Sequence, residues 1–250
     1  MLISVITVCY NSAATVAKTI ESVLGQTYPE IEYILVDGAS KDDTVQIARS
    51  YEEQFKQKGY SYRIISEKDH GIYDAMNKGI RMATGDYLCF LNAGDEFHDN
   101  ETLQKIVQTL KGKDLPDVIY GETAIVDEKG HFLHMRRLST PEQLNWKSFK
   151  QGMLVCHQAF LARRELAVHD LYDCQYRFSA DFDWCIRIMK KAKCLHNTRL
   201  TLIDYLNEGM TTHNHKASLK ERFRIMVKHY GWISTILHHG WFVIRLFYKR

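Results

Sequence analysis

Three short segments place carboxylates beside small residues, where a ligand can approach the backbone. The first is Val36-Asp37-Gly38-Ala39-Ser40-Lys41-Asp42-Asp43-Thr44. An acid at the carboxyl end of a strand, followed by a tight turn, can accept a hydrogen bond from a ribose hydroxyl or a base N–H. The same residues can instead simply build the turn. The second segment is Asn92-Ala93-Gly94-Asp95. A hard divalent ion takes one or two carboxylates and completes its shell with phosphates and water, so Asp95 alone can serve Mg²⁺; the alternative is an ordinary loop acid. The third is Ala180-Asp181-Phe182-Asp183, at the start of a helical pattern. The helix dipole favours acids there. Capping accounts for one of the two and leaves the other for proton transfer. Residues two apart do not share a helix face, so only one of Asp181 and Asp183 addresses a given substrate.

The elements that must position these segments read as alternating strands and helices. Apolar, β-branched runs predict strands at Ile3 to Cys9, Ile31 to Asp37, Tyr62 to Ser66 and Tyr87 to Asn92. Helical spacing is expected from Ala13 through Leu24 and from Ile72 to Ala83, and Ser40 with Asp43 resembles a capping box for the helix between them. Strands alternating with such helices predict βαβ units, a mostly parallel sheet, and ligands at the carboxyl ends of the strands. Beyond Asp95 the pattern loosens. A helix is expected near Glu101 to Lys111, a hairpin around Asp127 to Gly130 and a helix over Asp181 to Lys193. This second half is expected to extend the same sheet, giving one domain over residues 1–215 and a helical, peripheral tail over 216–250.

Composition narrows the classes. The chain has 250 residues, 45% of them hydrophobic and 25% charged, with 3 Pro and 14 Gly; that excludes disordered, collagen-like and disulfide-scaffold proteins. Its formal charge of +3 is too small to signal nucleic-acid binding. The charge is uneven, however. Residues 216–250 hold eight Lys or Arg against Glu221 alone, a net +7, and leave −4 for the rest. Trp232, Ile236, Val243 and Phe247 recur there at near-helical spacing among Arg245, Lys249 and Arg250. This pattern suits a helix lying on an anionic membrane surface, or a face packed on the protein's own core or on a second subunit. The longest run free of Asp, Glu, Lys and Arg in this tail, residues 229–244, falls short of the ~20 apolar residues needed to span a bilayer. None of the six cysteines forms a C-x-x-C pair, and the N-terminus opens directly into a strand pattern, so a reducing, cytoplasmic setting is expected. Neither G-x-G-x-x-G nor a P-loop occurs, which removes the main support for dinucleotide redox chemistry and for the P-loop mechanism.

Taken in order, Ile3-Ser4-Val5-Ile6-Thr7-Val8-Cys9-Tyr10-Asn11-Ser12, Val36 to Thr44, Ser66-Glu67-Lys68-Asp69-His70-Gly71-Ile72-Tyr73-Asp74-Ala75-Met76-Asn77-Lys78-Gly79-Ile80, Asn92 to Asp95 and Ala180 to Asp183 carry a family likeness. The chain resembles inverting family-2 glycosyltransferases of the GT-A fold, in particular those that assemble bacterial surface polysaccharides, over about residues 1–215. The resemblance implies an α/β, Rossmann-like sheet flanked by helices, and a nucleotide-sugar donor, most often a UDP-sugar. It implies that Asp37 contacts the nucleoside while Thr7, Tyr10 and Asn11 flank the base. The donor site it implies extends to Ser40, Lys68, Asp69, Asn77, Asn92, Ala93 and Gly94, with Lys68 and Lys78 as candidate diphosphate contacts. Asp95 matches the last acid of the metal-binding motif, for Mg²⁺ or Mn²⁺, and Asp181 the acid of the catalytic E-D pair. His213 is a further candidate metal ligand, and with His215 lies on a segment able to close over the donor.

Two departures from that family pattern stand out. Asn92-Ala93-Gly94-Asp95 replaces D-x-D-D, and Ala180 replaces the Glu of the E-D pair. The Q-x-x-R-W signature of processive synthases is also missing, which favours transfer of one sugar to a glycan or lipid-linked glycan at the cytoplasmic membrane face. Two rivals remain. A nucleotidyltransferase would carry a Gly-rich, basic loop where this chain has Tyr10-Asn11-Ser12-Ala13-Ala14. A catalytically silent nucleotide-sugar-binding subunit would tolerate the depleted acidic motif.

Overall fold

The computed structural model describes residues 1–207 and 215–248. Strands β1 (Ile3–Cys9) and β2 (Ile31–Asp37) are buried at every position. Burial on both faces is why their sequences read as continuous apolar runs rather than alternating ones. β3 (Ser61–Ser66) pairs parallel with β2, and β4 (Tyr87–Phe90) parallel with β1. β4 ends two residues earlier than expected, and Asn92 belongs to the turn that follows.

Helix α1 (Val16–Leu24) buries Val16, Thr19, Ile20 and Val23, one stripe at helical spacing. It begins three residues later than expected, because the N–H groups of Thr15 and Val16 both donate to the Ser12 carbonyl in a turn. Helices α2 (Thr44–Ser50), α3 (Glu52–Lys58) and α4 (Ile72–Met82) complete the crossovers. The expected capping box does not form. Asp43 makes no capping bond, Ser40 turns back to Asp37, and Asp42 accepts the Thr44 N–H at 3.1 Å. Gly79 lets α4 lie close on β1, since a Cβ there would meet Ile6 Cγ2 at 2.5 Å.

The second half does extend the sheet. It supplies β5 (Glu96–Phe97), α5 (Thr102–Thr109), β6 (Val118–Val126), β7 (Phe132–Met135), β8 (Phe160–Arg163), α6 (Arg164–Ala167), α7 (Ala180–Lys191) and β9 (Leu195–Leu206). The order is β3-β2-β1-β4-β8-β6-β9-β5, with β7 on β6 through the expected hairpin. β6 runs parallel to β9 and antiparallel to β8, which is antiparallel to β4. The result is a mixed α/β architecture with a mostly parallel sheet flanked by helices.

α7 is fixed by its aromatic side. Trp184 is fully buried, stacks on Tyr172 at 4.8 Å and meets Phe90 edge-on at 5.8 Å. Removing a buried side chain of this size costs about 3–5 kcal/mol, so the start of α7 has a firm place relative to the end of β4. The tail forms α8 (His215–Tyr230) and α9 (Trp232–Tyr248). α8 is less peripheral than expected, because Ile225 and Met226 are buried in the core. α9 exposes Trp232, Ile233, Ile236, Leu237 and Trp241. Among the described residues, no helix is long and apolar enough to cross a membrane.

Candidate functional site

The loops after β1 and β2 are laced together at their strands' carboxyl ends. The Asn11 N–H donates to Ser40 Oγ at 2.7 Å, Lys41 N–H to Asn11 Oδ1 at 2.9 Å, Ser12 N–H to Thr44 Oγ1 at 2.8 Å and Ala13 N–H to Asp42 at 3.0 Å. Asn11 and Ala39 adopt positive φ, 50° and 61°, to make these turns, an uncommon conformation for residues with a Cβ. Beneath them Asp37 is wholly buried. Its carboxylate accepts from the Ser40 N–H at 2.9 Å, the Ser66 hydroxyl at 2.6 Å, the Ser40 hydroxyl and the Cys9 thiol. Asp37 and Ser40 therefore build the turn, the alternative left open by the sequence.

Other expected donor residues also face into the fold. Thr7 is fully buried; its hydroxyl donates to the Leu91 carbonyl at 2.6 Å and accepts from Tyr33 at 2.9 Å. Rather than flanking a base, it ties β1 to the end of β4. Asn77 exchanges hydrogen bonds with the Tyr172 backbone at 2.9 and 2.7 Å, so it tethers the 171–174 loop to α4 instead of reaching the strand ends. Lys78 is committed to Glu67 at 2.9 Å and to the Lys68 carbonyl. What remains open is Tyr10, 58% exposed, together with exposed Lys68 and half-buried Asp69. Gly38 lies between Tyr10 and Asp69: a Cβ on it would meet Asp69 Oδ2 at 2.5 Å and the Tyr10 ring at 3.3 Å.

The turn after β4 is held from α1. Thr19 accepts the Gly94 N–H at 2.8 Å and donates to the Asp95 carbonyl at 2.8 Å. Gly94 takes φ 103°, a conformation that only glycine adopts readily. Asp95 is 5% exposed and accepts from Gln158 Nε2 at 2.7 Å and the Leu206 N–H at 3.2 Å. Burial raises its carboxyl to about 7, against the downward pull of these two donors. Asn92 Oδ1 is buried without a partner on the same turn. A carboxylate and an amide oxygen are hard donors that suit Mg²⁺ or Mn²⁺. Among the described residues no group of three His, Cys, Asp or Glu gathers, so the fit is that of a partial shell. His213 lies outside the described residues, as does the side chain of His215.

The two acids of α7 are divided by their surroundings. Asp183 is completely buried and bonds Arg187 Nε at 2.6 Å, Lys228 at 3.1 Å and His229 Nε2 at 2.8 Å. Burial raises its carboxyl, but these three donors outweigh that and hold it well below the usual range. Lys190 donates to His229 Nδ1 at 2.9 Å, which leaves Nε2 carrying the proton given to Asp183. Asp183 therefore clamps α8 to α7. Asp181 is 16% exposed at its side chain; it accepts from the Tyr73 hydroxyl at 3.1 Å and lies 3.6 Å from His157 Nδ1. His157 and Gln158, on one short 3₁₀ turn (His157–Ala159), thus touch the two candidate acids Asp181 and Asp95. Two open clefts of about 480 Å³ lie elsewhere, lined by Thr109, His196 and Arg199 or by Tyr120, Trp146 and Lys190. Neither contains one of the strand-end residues.

Residues 4–171 match the family model described as Glycosyl transferase family 2. The chain belongs to that family. It is similar to the PGL/p-HBAD biosynthesis glycosyltransferase of Mycobacterium bovis, 32% identical over 187 residues that cover 74% of this chain and 69% of that one. Among solved structures, Staphylococcus aureus TarS 1–349 in complex with UDP is similar in fold, with a TM-score of 0.69 at 16% identity over 91% of this chain and 66% of that one. So is mannosyltransferase PcManGT from Pyrobaculum calidifontis in complex with GDP-Man and Mn²⁺, with a TM-score of 0.65 at 16% identity over 90% of this chain and 64% of that one. The chain thus spans about two thirds of the length of each. These similarities support the GT-A-like fold of this family member.

The elevated Asp95 carboxyl has a consequence for metal-free protein. Between the ordinary carboxylate range and about pH 7, the folded chain keeps a proton that the unfolded chain has lost. Stability in EDTA then falls as the pH rises through that window, by on the order of 2–4 kcal/mol. Denaturant titrations across that range are expected to show this slope in the native sequence and a flatter one in Asp95→Asn; equal slopes in both contradict the assignment.

Proposed function

We propose that the chain transfers one sugar, with inversion, from a nucleotide-sugar to an acceptor hydroxyl, with Asp181 as the base. The observation that carries this is the division of labour on α7. Asp183 is saturated by three cationic or imidazole donors, whereas Asp181 keeps partial exposure beside Tyr73 and His157. A sugar hydroxyl is a poor nucleophile at neutral pH. Asp181 takes the hydroxyl proton as the oxygen attacks the anomeric carbon from the face opposite the diphosphate; the bond from that carbon to the diphosphate breaks, and the configuration inverts. Attack and departure from opposite faces need no covalent intermediate.

The nucleotide would lie over the carboxyl ends of β1 and β2, with the Tyr10 ring beside the base and Asp69 and Lys68 at the rim. Asp37, Ser40 and Asn11 would shape this surface from below. TarS, similar in fold, holds UDP, which supports a UDP-sugar as the donor. Asp95 and the unpartnered Asn92 oxygen would hold Mg²⁺ or Mn²⁺; the Mn²⁺ of the similar mannosyltransferase supports the ion. Such an ion, when bound, offsets the charge that develops on a departing diphosphate.

For the acceptor, the tail supports a lipid-linked glycan. The open face of α9 carries Trp232, Ile233, Ile236, Leu237 and Trp241 within a segment of net +7. An apolar face with basic surroundings suits an anionic membrane surface, each basic group near it contributing about 1 kcal/mol. The side chains of Val243, Arg245 and Phe247, part of the expected stripe, lie outside the described residues.

Two experiments test this proposal. Asp181→Asn is expected to lower transfer by about 10²–10⁴-fold while nucleotide binding stays unchanged; undiminished transfer places the base elsewhere, and a native chain that binds donor but transfers nothing supports the silent-subunit alternative. The chain is also expected to float with vesicles containing phosphatidylglycerol, weakly with pure phosphatidylcholine, and to lose that binding in Ile233→Asp with Leu237→Asp. Flotation unaffected by these changes contradicts the role given to α9.

A further inference from the structure

Arg136 follows β7, and its N–H donates to the Thr123 carbonyl at 3.0 Å, which fixes it beside β6. Two buried polar atoms at this crossing have no partner: Arg136 Nη1 and Thr123 Oγ1. A buried guanidinium N–H without an acceptor is unfavourable, and such groups in a stable fold call for an explanation. The charge of Arg136 also reaches the candidate centre. Burial pushes the Cys156 thiol and the Tyr205 hydroxyl up and the His157 imidazole down; the Arg136 charge opposes the first two shifts and adds to the third, and Cys156 and Tyr205 feel Asp95 and Asp181 as well. Yet its Nη1 bonds to neither acid.

Among the described residues, several cations near the site are engaged, while Lys68 stays exposed at the rim. Lys78 pairs with Glu67, Arg63 with Glu32, and Arg187 and Lys228 with Asp183. The turn after β4 offers a single carboxylate, Asp95, so an ion bound there neutralises only part of a diphosphate. A guanidinium presents a rigid fork of donors that matches phosphate oxygens two at a time, and a preorganised cation in a water-poor site is effective for charge that grows on a leaving group.

We propose that Arg136 binds the diphosphate of the nucleotide donor, an inference that rests on the donor reading above. The role that the sequence suggested for Lys78, which is held by Glu67, thereby passes to a residue on the opposite side of the sheet order, next to β6, while Lys68 remains at the rim.

The test is calorimetric titration of the native chain, Arg136→Ala and Arg136→Lys with UDP and, separately, with uridine, in Mg²⁺. Arg136→Ala is expected to raise the Kd for UDP about 10- to 100-fold and to leave that for uridine unchanged, with Arg136→Lys recovering part of the loss. An unchanged Kd for UDP in Arg136→Ala overturns the proposal. Equal weakening of UDP and uridine overturns it too, since that is the mark of a disturbed fold; Arg136→Met, which keeps the apolar stem, must then show the same equal loss. A native chain that binds neither UDP nor GDP, dTDP or CDP brings down the donor reading first, a failure visible before any variant is made.

Discussion

Everything at the strand ends depends on one buried carboxylate. Asp37 sits at the last position of β2 without access to water, and such a group is tolerable only when its oxygens are satisfied. Ser40 and Ser66 satisfy them, and in doing so Ser40 is placed to receive the Asn11 N–H. The β1 loop is thereby locked to the β2 loop, and Gly38 is pressed between Tyr10 and Asp69. The positive φ of Asn11 and Ala39 is a local strain that this network over-determines.

The second constraint is the assembly of the acidic residues from distant parts of the chain. Thr19 of α1 shapes the turn that carries Asp95, Gln158 meets its side chain, and the Leu206 N–H of β9 closes the far side. Asp181 is set by the Trp184 cluster that fixes α7 and by Tyr73 of α4. Asp183, two residues on and therefore on another face of α7, holds α8 through Lys228 and His229. One helix start thus carries a saturated, architectural acid and a partly exposed one, and environment rather than residue type sets them apart.

β1, β2 and β4 were legible because they are buried on both faces and leave continuous apolar runs; β1 and β2 have the expected bounds. That Asp181 and Asp183 face different surroundings was also legible, since residues two apart do not share a helix face. Which acid was which was not, since Lys228 and His229 lie some 45 residues away. Thr7 and Asn77 sit inside motifs that point to a ligand, but a hydroxyl or amide in such a motif can as well bond a neighbouring strand or loop, and only packing distinguishes the two. Thr19 left a faint trace, a polar residue on the buried stripe of α1. His157, Gln158 and Arg136 left none, because a three-residue 3₁₀ turn and the exit of a hairpin have no periodicity to read.

In the proposed function, the laced loops of β1 and β2, with the turn after β4, form a metal-assisted nucleoside-diphosphate site. It is tested most directly by thermal-shift titration of the native chain against UDP, GDP, dTDP and CMP, each with and without Mn²⁺. Selective stabilisation by one nucleoside diphosphate, UDP first, is expected, enhanced by Mn²⁺ and reaching about 2.7 kcal/mol at a ligand concentration 100 times its Kd. Stabilisation by none of the four, with or without the ion, contradicts it.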